Sequence, residues 1–142
     1  MSSPESWAYL SRVVEGPSHH IQALLQMGKS ADEIADGVRT RATWIGGLLS
    51  QTENRYTWDR PAADLEFAAE LGYTLITPES PEWPSEAIAC SFGRQQTGAA
   101  SKASHQPDGI APHALWVAGN TNLAGLFAQS VGVVGPRHAT KY

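Results

Sequence analysis

The stretch V-G-V-V-G-P-R-H-A-T-K-Y, Val131 to Tyr142, decides how the rest of this chain is read. Val131 to Val134 is short, apolar and β-branched, which predicts a strand. Gly135 predicts a turn. Arg137 then supplies a cation and Thr140 a hydroxyl. A strand that ends at glycine and offers backbone N–H groups, a guanidinium and a hydroxyl suits a phosphate. Such a turn ordinarily feeds a helix and further strands of a parallel sheet. The sequence stops at Tyr142 instead, so the expectation is an α/β domain that has only begun.

Upstream, the pattern is helical. Trp7, Leu10 and Val14 share one face of a helix predicted over 6–14. Gly16-Pro17 ends it, and Pro17 can open a second helix running to about Met27, with Ile21, Leu24 and Leu25 inward and Gly28 as its cap. Ser30-Ala31-Asp32-Glu33 has the S-x-x-E spacing of a capping box, with Ile34 and Val38 behind it. Trp44, Ile45, Leu48 and Leu49 predict a helix over 42–51, weakened by Gly46-Gly47 at about 1 kcal/mol per glycine. Pro61 to Leu71 reads as a further helix whose buried stripe is Leu65, Ala68, Ala69 and Leu71, with Gly72 as its stop. Residues 1–72 are therefore expected to form a bundle of short helices.

After Gly72 the period changes. Tyr73 to Thr77 predicts a strand. Pro78, Pro81 and Pro84 break regular structure, and one or two helical turns fit 85–92. Residues 93–111 carry no periodic apolar residue and read as a flexible connection. Ala114 to Val117 predicts a second strand and Leu123 to Phe127 a helical turn or two. The division expected is 1–72, a helical bundle; 73–111, a strand with a proline-rich and flexible connection; and 112–142, the beginning of an α/β domain.

Composition narrows the function. The net charge is −4. The first 72 residues hold six basic and ten acidic residues and the remainder four of each. Neither part has the basic field of a non-specific nucleic-acid binder, so any such contact has to be local. Cys90 is the only cysteine, which excludes an intrachain disulfide and fits a reducing compartment. The sequence shows no signal peptide and no apolar run long enough to span a membrane, so a cytoplasmic protein without membrane contact is expected.

Catalytic and metal signatures are weak. His19-His20 are adjacent, so on a helix their rings diverge by about 100° and cannot chelate well as a pair. No cluster completes a zinc set. Gly132 to Gly135 is G-x-x-G and lacks the dinucleotide pattern G-x-G-x-x-G. Gly46-Gly47 has the glycines of a helix-hairpin-helix clamp without nearby Lys or Arg. Cys90 reads as a small apolar residue beside Ile88. Trp7, Trp44, Trp83 and Trp116 lie among apolar residues or prolines, which assigns them to packing. No enzyme activity, cofactor or metal is expected.

Four segments, in order, resemble the DNA-processing protein A family (DprA, also called Smf), and its actinobacterial members most. They are W-A-Y-L-S-R-V at 7–13, L-G-Y-T-L-I-T-P-E-S-P-E-W-P at 71–84, P-H-A-L-W-V-A-G-N at 112–120 and the closing stretch at 131–142. The resemblance implies a sterile-alpha-motif-like bundle before a Rossmann-like domain, here its first strands. It also implies single-stranded DNA binding, self-dimerisation and delivery of DNA to the recombinase RecA in natural transformation, without catalysis. It places Gly135, Arg137, Thr140 and Lys141 against DNA phosphate. The match departs from the family pattern at Pro136, where the middle residue of the turn is usually Ser or Thr, and at Ala118, where Arg is common. Pro136 removes both a hydroxyl and a backbone donor. Without a helix after the turn, Arg137 lacks a rigid mount, and the chain alone is expected to bind DNA poorly. The other reading of the residues is a helical protein-interaction module with a remnant C-terminus.

Overall fold

The computed structural model describes residues 1–92 and 109–131. Its first helix, α1, spans Pro4–Val13. Ser3 caps it by accepting a hydrogen bond from the Ser6 N–H, and Pro4 occupies a position where its missing donor costs nothing. The face predicted from Trp7, Leu10 and Val14 is buried, together with Tyr9 and Val13.

Helix α2 spans His19–Gln26 behind a Ser18 cap, and α3 spans Ala31–Arg39. The capping box at Ser30 forms in both directions: the Glu33 N–H donates to Ser30 Oγ at 3.1 Å, and the Ser30 N–H donates to Glu33 Oε2 at 2.9 Å. Gly37 lets α3 approach the next segment closely, because a Cβ there would lie 2.6 Å from Ile45 Cγ2.

The helix predicted over 42–51 is broken in two. A 3-10 turn covers Thr43–Ile45, and α4 covers Leu48–Gln51. The break falls at Gly46, whose φ of 57° lies in the left-handed region. Gly47 has a packing reason as well: a Cβ there would sit 2.1 Å from the His20 ring. Both glycines thus serve the geometry of the bundle.

One core gathers these pieces. Trp7, Tyr9, Leu10, Val13, Val14, Ile21, Leu24, Ile34, Val38, Ile45 and Leu48 form a single buried cluster. Two polar groups reach into it and are satisfied. Tyr9 donates its hydroxyl to the Tyr56 carbonyl at 2.7 Å. Thr52 donates to the Leu48 carbonyl at 2.6 Å and accepts from Arg41 at 2.9 Å. Arg41 itself adopts φ 56°, unusual for a non-glycine residue. Its side chain holds Thr52 Oγ1 and the Leu49 carbonyl and stacks 4.4 Å from the Tyr56 ring centroid.

Helix α5, Pro61–Glu70, departs from expectation. It contains no buried residue, so the predicted stripe of Leu65, Ala68, Ala69 and Leu71 is not a core face. Leu65 and Ala68 are half-buried, while Ala69 and Leu71 are exposed. The two alanines present little apolar area, and α5 is joined to α1 instead by an ion pair between Arg12 and Asp64.

Strands β1 (Tyr73–Ile76) and β2 (Leu115–Ala118) pair antiparallel, with Leu75 opposite Trp116 and Ile76 opposite Leu115. Helix α6 covers Ser85–Phe92 and α7 covers Leu123–Phe127. The described residues are thus mostly helical with a small two-stranded sheet, in line with helices followed by the start of an α/β arrangement. Of the strand predicted over 131–134, only Val131 lies within the described residues, and it is exposed and outside any strand.

Candidate functional site

Gly135, Arg137, Thr140 and Lys141, the phosphate contacts drawn from the sequence, lie outside the described residues. The approach to them is described as far as Val131. Gly119 turns the chain out of β2 with φ 87°, and Asn122 caps α7 by accepting from the Gly125 N–H at 3.3 Å.

The cations within the described residues are committed elsewhere. Arg12 forks onto Asp64, and Arg60 reaches the same carboxylate at 3.8 Å. Arg39 holds Asp59 through two hydrogen bonds of 2.9 and 3.0 Å and stacks on Tyr9. Lys29 pairs with Glu33 at 2.9 Å and lies over Trp44. Arg55 pairs with Glu15 and lies 4.8 Å from the Trp58 centroid. Arg41 is the latch on Thr52 already described. Every cation among the described residues therefore has a carboxylate or hydrogen-bonding partner, and the bundle presents no bare cationic face there.

Two of the tryptophans assigned to packing are exposed. Trp44 lies at the surface under Lys29. Trp116 lines a cleft of about 300 Å³ between α1, the turn at 55–58, α5 and β2. Ala8, Ser11 and Ala68 contribute small side chains to that cleft. Trp58, Phe67 and Trp116 contribute rings that are 46%, 61% and 37% exposed. Arg12, Arg55 and Asp64 provide its charged groups. Rings and guanidiniums at one opening can hold a flat unsaturated group by stacking and an anion by hydrogen bonds.

A second hollow, of about 550 Å³, lies where the proline-rich segment meets the bundle, between Trp7, Gln22, Leu25, Pro78, Trp83 and Pro112. Glu79 ties the two together. It accepts from the Ser2 N–H at 2.9 Å, from Ser2 Oγ at 3.1 Å and from the Trp7 indole at 3.3 Å. Burial pushes its pKa up, but these donors outweigh it and hold the carboxyl below the usual range. Ser2 Oγ in turn accepts from the Ala31 N–H at 3.1 Å. The P-E-S-P motif at 78–81 is therefore a clasp on the start of the bundle.

His113, in the motif at 112–120, is 5% exposed. Neither ring nitrogen meets a partner in hydrogen-bond geometry. Burial drives its pKa down to about 4, opposed to a lesser degree by the nearby Leu10 carbonyl. That carbonyl already accepts from the Val14 N–H at 3.0 Å. Cys90, expected to pack beside Ile88, is exposed on α6. His19 and His20 stand with ring centroids 3.9 Å apart, and among the described residues no group of three metal-ligating side chains occurs. No helix there is long and apolar enough to cross a membrane.

The cleft was not legible in the sequence. Trp58, Phe67 and Trp116 belong to three separate elements, and no spacing rule brings them together. Exposed Phe67 within an otherwise alanine-rich helix was the one local hint.

Comparison with known proteins adds a direct likeness. The chain is 39% identical over 138 residues to proteins of two Mycobacterium tuberculosis strains, CDC 1551 / Oshkosh and H37Rv, each described as "Putative DNA processing protein DprA". The match covers 96% of this chain and 33% of each relative, so the chain spans about a third of the length of the proteins it matches. No protein-family model and no solved structure matches it. The resemblance drawn from four short segments thus extends across nearly the whole chain.

Proposed function

We propose that this chain, similar to the DNA-processing protein A family along almost its entire length, supplies the helical part and the first strands of a protein that handles single-stranded DNA without catalysing a reaction on it. The observation that carries this reading is the 39% identity over 138 residues to proteins named for DNA processing. In this reading residues 1–72 are the sterile-alpha-motif-like bundle, 73–111 the connection, and 112–142 the opening of a Rossmann-like domain. Gly135, Arg137, Thr140 and Lys141 meet DNA phosphate, and the protein works in the cytoplasm, away from membranes. Dimerisation and loading of DNA onto RecA are what the family resemblance implies for full-length relatives, and this chain spans a third of the length of those it matches.

Phosphate contacts position a protein on DNA without reading bases. With a net charge of −4 and partners on every described cation, the chain alone has few groups to give. Its affinity for single-stranded DNA is expected to stay in the non-specific range, about 1–100 µM. Anisotropy titrations of a labelled oligonucleotide over a salt series test this. Replacing Arg137 by Ala should lower the slope of log K against log salt by roughly 0.7, the loss of one phosphate contact on a single strand. An unchanged slope would remove Arg137 from the interface. Nanomolar binding by the chain alone would overturn the expectation of weakness.

A further inference from the structure

We infer that the cleft between α1, the 55–58 turn, α5 and β2 is a stacking site for a base of single-stranded nucleic acid. The inference rests on the DNA-handling reading and deepens it, because it adds a contact on the helical part, apart from the turn at Gly135.

Convergence is the first support. Singly exposed apolar residues are ordinary on protein surfaces. Here rings from three elements, Trp58, Phe67 and Trp116, border one opening of about 300 Å³. The faces of unpaired bases are sequence-tolerant partners for such rings.

Charge is the second. The chain as a whole is acidic, at −4. The cleft is not. Arg12 and Arg55 line it, and Arg60 reaches it through Asp64 at 3.8 Å. The carboxylates they meet are Asp64 and Glu15. Three guanidiniums stand against two carboxylates, and Glu66 and Glu70 of the same helix do not line the opening.

The third is that the two lining pairs differ in depth. The Asp64 side chain is 14% exposed, so Arg12 and Asp64 form a fixed floor. The Glu15 side chain is 74% exposed, and an ion pair with so solvated a partner contributes little. A phosphate can therefore replace Glu15 on the planar fork of Arg55 without a large loss. Arg55 covers part of the Trp58 ring, which is still 46% exposed, so a base on the ring surface that Arg55 leaves open and its phosphate on the guanidinium fall within one nucleotide's reach. An apolar peptide side chain would use the rings and leave the guanidiniums idle. A phosphodiester-linked base uses both.

The test uses the 142-residue chain at low salt with two probes of equal length, a dT oligonucleotide and an abasic phosphodiester strand. NMR follows the indole N–H signals of the tryptophans, and anisotropy follows affinity. The expected result is that dT moves the signals of Trp58 and Trp116 and binds more tightly than the abasic strand. Trp58→Ala and Phe67→Ala, both at exposed positions, should each weaken dT binding by about tenfold. Trp44→Ala, at an exposed tryptophan outside the cleft, should not. If dT and the abasic strand bind alike and neither cleft variant weakens dT, the inference is wrong. The DNA reading then survives provided Arg137→Ala still lowers affinity. If neither strand binds at all, both readings fall. Cleft signals that move with protein concentration and not with dT would assign the cleft to a second copy of the chain and overturn the inference.

Discussion

The two halves of the described molecule are held together by different physics. Helices α1 to α4 share one apolar core in which every large member is nearly inaccessible. Helix α5, the β1–β2 pair and helices α6 and α7 bury only Ile76 and Leu123 among their apolar residues. Leu75 of β1 packs on the edge of that core, and the rest of what fixes them is polar: the Arg12–Asp64 pair, the Glu79 clasp and the ladder between two short strands. A core of interlocked side chains resists local opening. Partly solvated polar contacts and a two-stranded ladder resist it less, because water competes for each contact. The lesson is that the cleft straddles the boundary: Arg12 stands on the rigid side in α1, while Phe67 and Trp116 stand on the weakly packed side in α5 and β2.

The sharpest way to break that contrast is to delete one large apolar side chain on each side. Ile34→Ala removes atoms from the centre of the cluster and leaves a cavity, at a cost of about 2–5 kcal/mol. Phe67→Ala removes a larger side chain from an exposed position, where substitutions usually stay within about 0.5 kcal/mol. Urea unfolding followed by circular dichroism measures both. Equal losses would mean that α5 is a true part of the core and that the contrast is mistaken.

A smaller effect should appear with pH at the seam between the halves. The His113 imidazole is buried beside α1 and its pKa is lowered to about 4, against an ordinary value of 6.5. Above 6.5 the ring is neutral whether the chain is folded or not, and the group has no effect on stability. Between 6.5 and 4 the unfolded chain takes up a proton that the folded chain refuses, so stability falls as pH falls. The loss approaches about 3 kcal/mol by pH 4. His113→Leu should flatten this part of the profile, as read from urea midpoints across the window. A variant with the same slope as the parent would show that other groups carry the pH dependence.

These sites also mark how far the sequence could be read. The helices of the bundle were legible because Trp7, Leu10, Ile34 and Val38 fall at helical spacing and Ser30 and Gly28 punctuate them. The split at Gly46 was half legible: the glycines signalled weakness, but the close contacts on either side of the turn, Ile45 against Gly37 of α3 and Gly47 against His20, are tertiary. The failed stripe on α5 has the same origin. Period alone says which residues share a face, and it cannot say whether another element covers that face. The cleft was invisible for a stronger reason, since Trp58, Phe67 and Trp116 meet only through the fold. The partnering of the cations was hidden likewise, because Arg12 finds Asp64 across 52 positions of sequence.

The smallest effect worth measuring lies at the edge of the rigid half. The capping box at Ser30 satisfies donors that the first turn of α3 would otherwise leave to water. Ser30→Ala removes the oxygen that accepts from Glu33 N–H and should cost about 1 kcal/mol, within the usual range for a lost cap. Glu33 is exposed and also meets Lys29. Losing Lys29 by substitution with Ala should therefore change stability less than losing the cap, since a solvated ion pair is screened by salt and the cap is not. Repeating both measurements in high salt separates the terms: the Lys29 effect should shrink and the Ser30 effect should persist. If both shrink together, the start of α3 is held by charge, and the rigid half depends on solvated contacts as the other half does.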